Sequence, residues 1–209
     1  TIELATRLTR YGGDAIVVTA PYYFSQTQAE ITAHILAVAR SQSIPTFIYN
    51  IPQTVKTIIE PETVAELAED PKVVAIKDSF GDMGRFQRIL AIREQRPDFG
   101  VFQGAEDVAA LSVICGANGG VWGLANVAPQ LCCNLYRAAR DGDLDRAWKL
   151  QRNMSVLGQL HSRGPWLPCL KTAVSLLGIC RPQASAPFST LPDAAVAAIR
   201  RDMQAAGIL

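Results

Sequence analysis

The sequence predicts an α/β fold built on parallel strands, and three observations predict it. Short apolar runs begin near Ala15, Thr46, Val73, Gly100 and Gly119, and most of the intervals between them hold one amphipathic helical stretch. A strand, a helix and a strand in succession make a parallel, adjacent pair, because parallel strands need a crossover connection. The strands stop after about residue 129, and Asp143 to Leu209 reads as three further helices, broken near Gly164-Pro165 and again between Arg181 and Pro187.

The elements follow in order. Helices are expected at about 1 to 10, 27 to 41, 61 to 69, 83 to 95, 105 to 115 and 129 to 139. Thr27 with Glu30 forms the capping-box pattern, in which each side chain satisfies the other's backbone N–H at a helix start. Behind it, Ile31, Ile35 and Val38 keep one apolar face. Pro61 suits a first helical position, where its missing N–H is no loss. In the run Val73 to Asp78, alternation puts Lys77 on the face of Val73 and Ala75, with Val74 and Ile76 opposite, and the small Ala75 leaves room beneath an inward lysine.

Five parallel strands fit either an open doubly wound sheet or part of a closed (β/α)8 barrel, a TIM barrel, and composition does not separate the two. A barrel places its active site at the strand C-terminal ends. There the chain concentrates Tyr22, Tyr23, Tyr49, Lys77, Gly104 to Asp107 and Gly123 to Asn126. An open sheet usually carries a glycine-rich phosphate turn after its first strand, and the sequence has none.

Two of these residues carry a chemical suggestion. Tyr49 and Lys77, 28 residues apart, each end an apolar run, so adjacent strands would set them side by side. A lysine carried inward loses hydration, which favours the neutral amine that attacks carbonyls, and a neighbouring phenol can move protons. Either residue alone reads as a solvated strand end or a core aromatic; the pairing makes them a candidate site.

Net charge is +1 with scattered Lys and Arg, which gives no footprint for nucleic acid or for an anionic membrane surface. Five cysteines (Cys115, Cys132, Cys133, Cys169, Cys180) form an odd set without CxxC spacing and read as reduced thiols; Cys132 and Cys133 read as buried thiols on different sides of a helix. No run is long and apolar enough to span a bilayer, and no signal sequence is present, so a cytoplasmic protein is expected. His34 and His161 lack a second ligand at metal spacing, and no metal site is assigned.

Five stretches in order resemble the dihydrodipicolinate synthase and N-acetylneuraminate lyase family of pyruvate-dependent class I aldolases. They are residues 12 to 24 (GGDAIVVTAPYYF), 49 to 52 (YNIP), 76 to 82 (IKDSFGD), 104 to 107 (GAED) and 125 to 129 (ANVAP). The resemblance implies a (β/α)8 barrel with strands four to eight in this chain, residues 1–140 forming the partial barrel and 141–209 a helical extension packed on it. It implies Lys77 as the Schiff-base lysine, Tyr49 as the proton-relaying phenol, and Tyr23 as a tyrosine inserted across a dimer interface, hence a homodimer or homotetramer. Thr54, Gly104, Glu106, Asp107, Val121 and Gly123 take the family's substrate-contact positions. The partners are pyruvate and an aldehyde, with neither metal nor organic cofactor. Aligned on these motifs, Thr1 falls in the third helix. Three strands and the loop that holds the pyruvate carboxylate would then lie outside this sequence. A barrel of this kind typically takes about 250 residues, so the chain reads as a fragment, with Ala15 to Thr19 as an unpaired edge.

Thr54 stands where the synthases carry an arginine for the carboxylate of the incoming aldehyde. Gly104-Ala105-Glu106-Asp107 resembles the two-acid loop of the sugar-acid lyases, although Gly123 replaces the sialic-acid lyase's serine. The expected substrate is a 2-keto-3-deoxy sugar acid or a sialic-acid-like molecule. A synthase-like condensation and a keto-acid dehydratase are the alternatives. From another class, a non-catalytic barrel fragment or binding module stays open.

Overall fold

The computed structural model describes residues 1–209. Five strands, β1 (Ile16–Thr19), β2 (Thr46–Asn50), β3 (Val73–Asp78), β4 (Gly100–Gln103) and β5 (Gly119–Gly120), form one sheet in sequential order. Every neighbouring pair is parallel, so all five C-terminal ends lie along one side of the sheet. The strand starts fall within a residue of the apolar runs read from the sequence, and β1 lies at a sheet edge.

The chain forms two compact units, Thr1–Ala105 with Cys115–Gly120, and Glu106–Ile114 with Val121–Leu209. The first holds the whole sheet with helices α1 (Ile2–Arg10), α2 (Gln28–Arg40), α3 (Pro52–Val55), α4 (Pro61–Ala68) and α5 (Met83–Ala91). Thr27 and Glu30 close the capping box at the start of α2. Ile31, Ile35 and Val38 are buried, as the periodicity requires. They join Val64 and Leu67 of α4, Phe86 and Ile89 of α5, and strand residues Ile16, Val18, Ile48, Ile76 and Val101 in one core. The sheet's other face carries half-buried Phe47, Tyr49, Lys77 and Phe102, with Val17 exposed. Arg85 pairs with Glu60, the N-cap of α4. The Arg96 guanidinium donates to the carbonyls of Ala68, Asp70 and Val73, which ties down the connection from α4 into β3.

One irregularity sets the register. Thr46 pairs with Val73, but Phe47 pairs with Ala75, so β3 has one more residue than β2 at that point. Val73 consequently joins the core with Ile76, whereas Ala75 and Lys77 oppose Phe47 and Tyr49. Strict alternation, which put Val73 on the lysine's face, fails at this bulge.

The second unit is helical: α6 (Ala109–Ile114), α7 (Pro129–Arg140), α8 (Leu144–Gly158), α9 (Trp166–Leu176) and α10 (Asp193–Ala205), with short 3-10 turns at Glu106–Val108, Gly123–Asn126 and Gln159–Arg163. Its core includes Leu124, Leu135, Met154, Leu157, Cys169, Ile199 and Met203. Buried Gln151 accepts from the Ala110 N–H and donates to the Glu106 carbonyl, so α8 holds the start of α6. Arg163 grips Asp202 through Nε and Nη2. Cys132 is buried, with its thiol pushed up to about 12 chiefly by burial, while Cys133 is exposed and not buried as expected. The three C-terminal helices and their breaks match the sequence reading; the short α3 was not foreseen. No helix is long and apolar enough to cross a membrane.

Phe86 has no solvent exposure, so Phe86→Ala is expected to cost about 3–5 kcal/mol, because the large cavity collapses only in part. Urea unfolding of the two proteins checks this; a loss near zero would place Phe86 outside the core.

Candidate active site

Tyr49 and Lys77 are direct partners across β2 and β3 at the C-terminal side of the sheet. The Lys77 Nζ lies 3.0 Å from the Tyr49 hydroxyl oxygen and 4.2 Å from the ring centroid, so the amine sits against both the oxygen and the edge of the ring's face. Both side chains are half-buried. Phe102, opposite Lys77 on β4, and Phe47, whose ring centroid is 6.1 Å from that of Phe102, floor the surface around the amine.

Gly104 follows β4 directly and crowds this lysine. A Cβ placed on it would lie 2.9 Å from Lys77 Cε and 1.9 Å from Ser79 Oγ, so any side chain there forces Ser79 and Lys77 to move. Its amide donates to the Asp78 carbonyl at 2.7 Å. The Asp78 carboxyl is almost fully buried and accepts from Asn50 Nδ2 at 2.6 Å. Burial pushes its pKa up, against the opposing pull of Asn50, the Phe80 backbone and Arg85. Thr54 is exposed on α3, followed at Lys56 by a left-handed residue with φ of +66°. Tyr23 is 82% exposed, with φ of +85°, and its ring packs edge-on against Phe24 at 4.8 Å.

The remaining sequence candidates lie in the second unit, and there the two acids part company. Glu106 is held inward: Oε1 accepts the Leu124 N–H at 2.7 Å and Oε2 lies 3.4 Å from His161 Nε2. The His161 ring stacks on Trp166 at 5.3 Å. Trp166 fills the space beside Gly123, where a Cβ would come within 2.5 Å of the indole. Asp107 is exposed, as is Val121. Sequence reasoning missed His161 as a partner of Glu106, because 55 residues and three α-helices separate them. It also missed the Asn50–Asp78 contact, although Asp78 follows Lys77 and Asn50 follows Tyr49, and that adjacency was a usable signal.

The dihydrodipicolinate synthetase family model matches residues 1–206. The chain belongs to this family. Family membership makes it a carbon–carbon lyase of the pyruvate-dependent class I aldolase type. The chain is 34% identical over 198 residues to a 4-hydroxy-tetrahydrodipicolinate synthase of Hyphomonas neptunium, and 37% identical over 201 residues to that of Jannaschia sp.. Each match takes in 95% of this chain and 67% of the relative. Among solved structures, YagE, a prophage protein of the dihydrodipicolinic acid synthase family from E. coli K12 crystallised with pyruvate, superposes with a TM-score of 0.94 at 26% identity, covering 100% of this chain and 71% of that one. The dihydrodipicolinate synthase of Bacteroides thetaiotaomicron gives 0.89 at 33% identity, covering 98% and 70%. These likenesses identify the parallel sheet with its helices as the α/β barrel fold of the family.

The raised Asp78 pKa fixes a direction of pH dependence. The unfolded chain loses this proton near 3.8, while the folded protein keeps it to higher pH, so folding stability falls as pH rises from 3.8 to the folded-state value and is constant above it. Asp78→Asn removes the titration. Its stability relative to the unmodified protein is therefore expected to rise across that window, as measured by urea unfolding between pH 3.5 and pH 8, all on the order of ordinary carboxyl titration. A difference that shrinks with rising pH would contradict the assignment.

Proposed function

We propose that Lys77 is the nucleophile of a Schiff-base-forming, pyruvate-dependent aldolase, with Tyr49 as its proton relay. The observation that carries this is the 3.0 Å approach of the amine to the phenol on paired strand ends. In the lyase direction the Lys77 amine attacks the keto carbon, forming a C–N bond, and the resulting carbinolamine expels water to leave an iminium ion. The iminium withdraws the electron pair of the C3–C4 bond as that bond breaks. Tyr49 takes the C4 hydroxyl proton, directly or through the substrate carboxylate, so an aldehyde leaves and an enamine of pyruvate stays on the lysine. Protonation of the enamine at carbon and hydrolysis of the imine return pyruvate and the free amine. None of these steps calls for a metal or an organic cofactor.

The substrate class favoured is a 2-keto-3-deoxy sugar acid or a sialic-acid-like molecule. Its support is Thr54, whose uncharged side chain offers an incoming carboxylate no charge-assisted bond. Of the two acids following β4, Asp107 is the one assigned to substrate hydroxyls; its support is that it is exposed while Glu106 bonds within its own unit. Gly104, Val121 and Gly123 complete the set as small or apolar contacts. The second reading, a synthase-like condensation of pyruvate with an aldehyde bearing a carboxylate, draws on the names of the relatives. Tyr23 is assigned to a second copy of the chain in a homodimer or homotetramer: an aromatic side chain 82% exposed on a left-handed backbone is costly in a lone subunit. The five strands are assigned to positions four to eight of an eight-stranded barrel, and residues 141–209 to a helical extension.

Lys77→Ala is expected to abolish turnover, and Tyr49→Phe to lower kcat by about 100-fold or more, within the usual worth of a positioned acid or base. The same assays run on hydroxyaldehydes and on a carboxylate-bearing aldehyde separate the substrate readings. Preference for hydroxyaldehydes, reversed by Thr54→Arg, supports the sugar-acid class, and preference for the carboxylate-bearing aldehyde in the unmodified protein overturns it. Activity surviving Lys77→Ala would refute the mechanism.

A further inference from the structure

One residue beyond the row Tyr49, Lys77 and Phe102, a second row crosses the same three strands in register: Asn50, Asp78 and Gln103. All three are buried, at 2%, 1% and 0% exposure. Successive strand residues face opposite sides, so this row lies on the helix-covered face. Parallel strands under helices are ordinarily apolar there, and a buried polar side chain is costly unless bonded.

The bonds of this row converge on backbone around Lys77. Asn50 Oδ1 accepts the Ile59 N–H at 3.1 Å, and Gln103 Oε1 accepts the Ala105 N–H at 2.8 Å. The Asn50 carbonyl accepts the Ser79 N–H at 2.9 Å, and the Asp78 carbonyl accepts that of Gly104, the glycine packed on the Lys77 side chain. Asn50 Nδ2 to Asp78 Oδ1, at 2.6 Å, is the side-chain bond that ties β2 to β3 at the positions next to Tyr49 and Lys77. The second Asp78 oxygen is buried with no side-chain partner; the Phe80 backbone and Arg85 pull on the carboxyl, but the Arg85 guanidinium itself is engaged by Glu60. A carboxyl serving as a charge would have a cation paired with it.

We propose that Asn50 and Asp78 form a positioning clamp that sets Lys77 beside Tyr49, with Asp78 acting through its hydrogen bond to Asn50 and not through its charge. Neither residue touches substrate. The inference rests on Lys77 being the nucleophile, and the test separates failure of the one from failure of the other.

Four variants are compared with the unmodified protein: Asp78→Ala, Asp78→Asn, Asn50→Asp, and the swap Asn50→Asp with Asp78→Asn. The first readout is the rate at which borohydride traps pyruvate on Lys77, per folded molecule, as a function of pyruvate concentration. Asp78→Ala leaves the Asn50 amide unpaired and Asn50→Asp sets two carboxyl groups face to face; each is expected to slow saturated trapping by about 10-fold or more, with a smaller change in the half-saturating pyruvate concentration. Asp78→Asn keeps an acceptor for Asn50 and should stay within about threefold. In the swap, the new carboxylate at position 50 accepts from both the Ile59 N–H and the amide at position 78, so trapping should likewise return to within about threefold. The second readout needs no Schiff base: acetylation of Lys77 relative to exposed Lys149, mapped by mass spectrometry. Release of Lys77 from Tyr49 should raise that ratio about threefold or more in Asp78→Ala, and the swap should restore it. Wild-type trapping rates in Asp78→Ala, or a swap as slow as Asn50→Asp, overturn the clamp. If the unmodified protein traps no pyruvate, the nucleophile reading falls, and the acetylation ratio alone decides: a ratio unmoved by Asp78→Ala overturns the clamp.

Discussion

The in-register pairing of β2 with β3 is the constraint on which the rest of the site depends. Side chains alternate along a strand with a period of two, so a slip of one residue turns a whole strand over. Here the slip is built in. Thr46 opposite Val73 would, carried forward without interruption, bring Tyr49 opposite Ile76. The extra residue in β3 brings it opposite Lys77 instead. The same shift sets Asn50 against Asp78 on the buried face. The Tyr49–Lys77 pair and the polar pair behind it are consequences of one bulge.

Within each unit the chain is shaped by exclusion as much as by contact. A side chain at Gly104 would force Lys77 and Ser79 to move, and one at Gly123 would force Trp166 to move. The second case bears on chemistry. A residue with a hydroxyl at position 123 and an indole at position 166 could not coexist without movement, so Gly123 and Trp166 act as one choice. Glu106 is similarly committed, with one oxygen on the Leu124 amide and the other beside His161.

Much of this was legible in the sequence where periodicity and local chemistry govern. The five strand starts, the capping box of α2, the apolar face of Ile31, Ile35 and Val38, and the apposition of Tyr49 with Lys77 all follow from spacing and end signals. What was not legible depends on long-range packing. The bulge at Thr46 and Phe47 moves Val73 into the helix-side core against its parity, and no local signal announces it. Cys133 turns to solvent because α7 buries Leu131, Cys132 and Leu135 instead. The engagement of Glu106 required knowing that residues 124 and 161 come to it from elsewhere in the chain. A two-acid motif shows which residues are available; only packing shows which of them is already occupied.

The measurement that tests the central claim most directly is mass spectrometry of the unmodified protein after incubation with pyruvate and borohydride, with the modified peptide sequenced. The account requires a reduced pyruvate adduct on Lys77 and on none of Lys56, Lys72, Lys149 or Lys171. An adduct spread over those lysines, or none at Lys77, would contradict it.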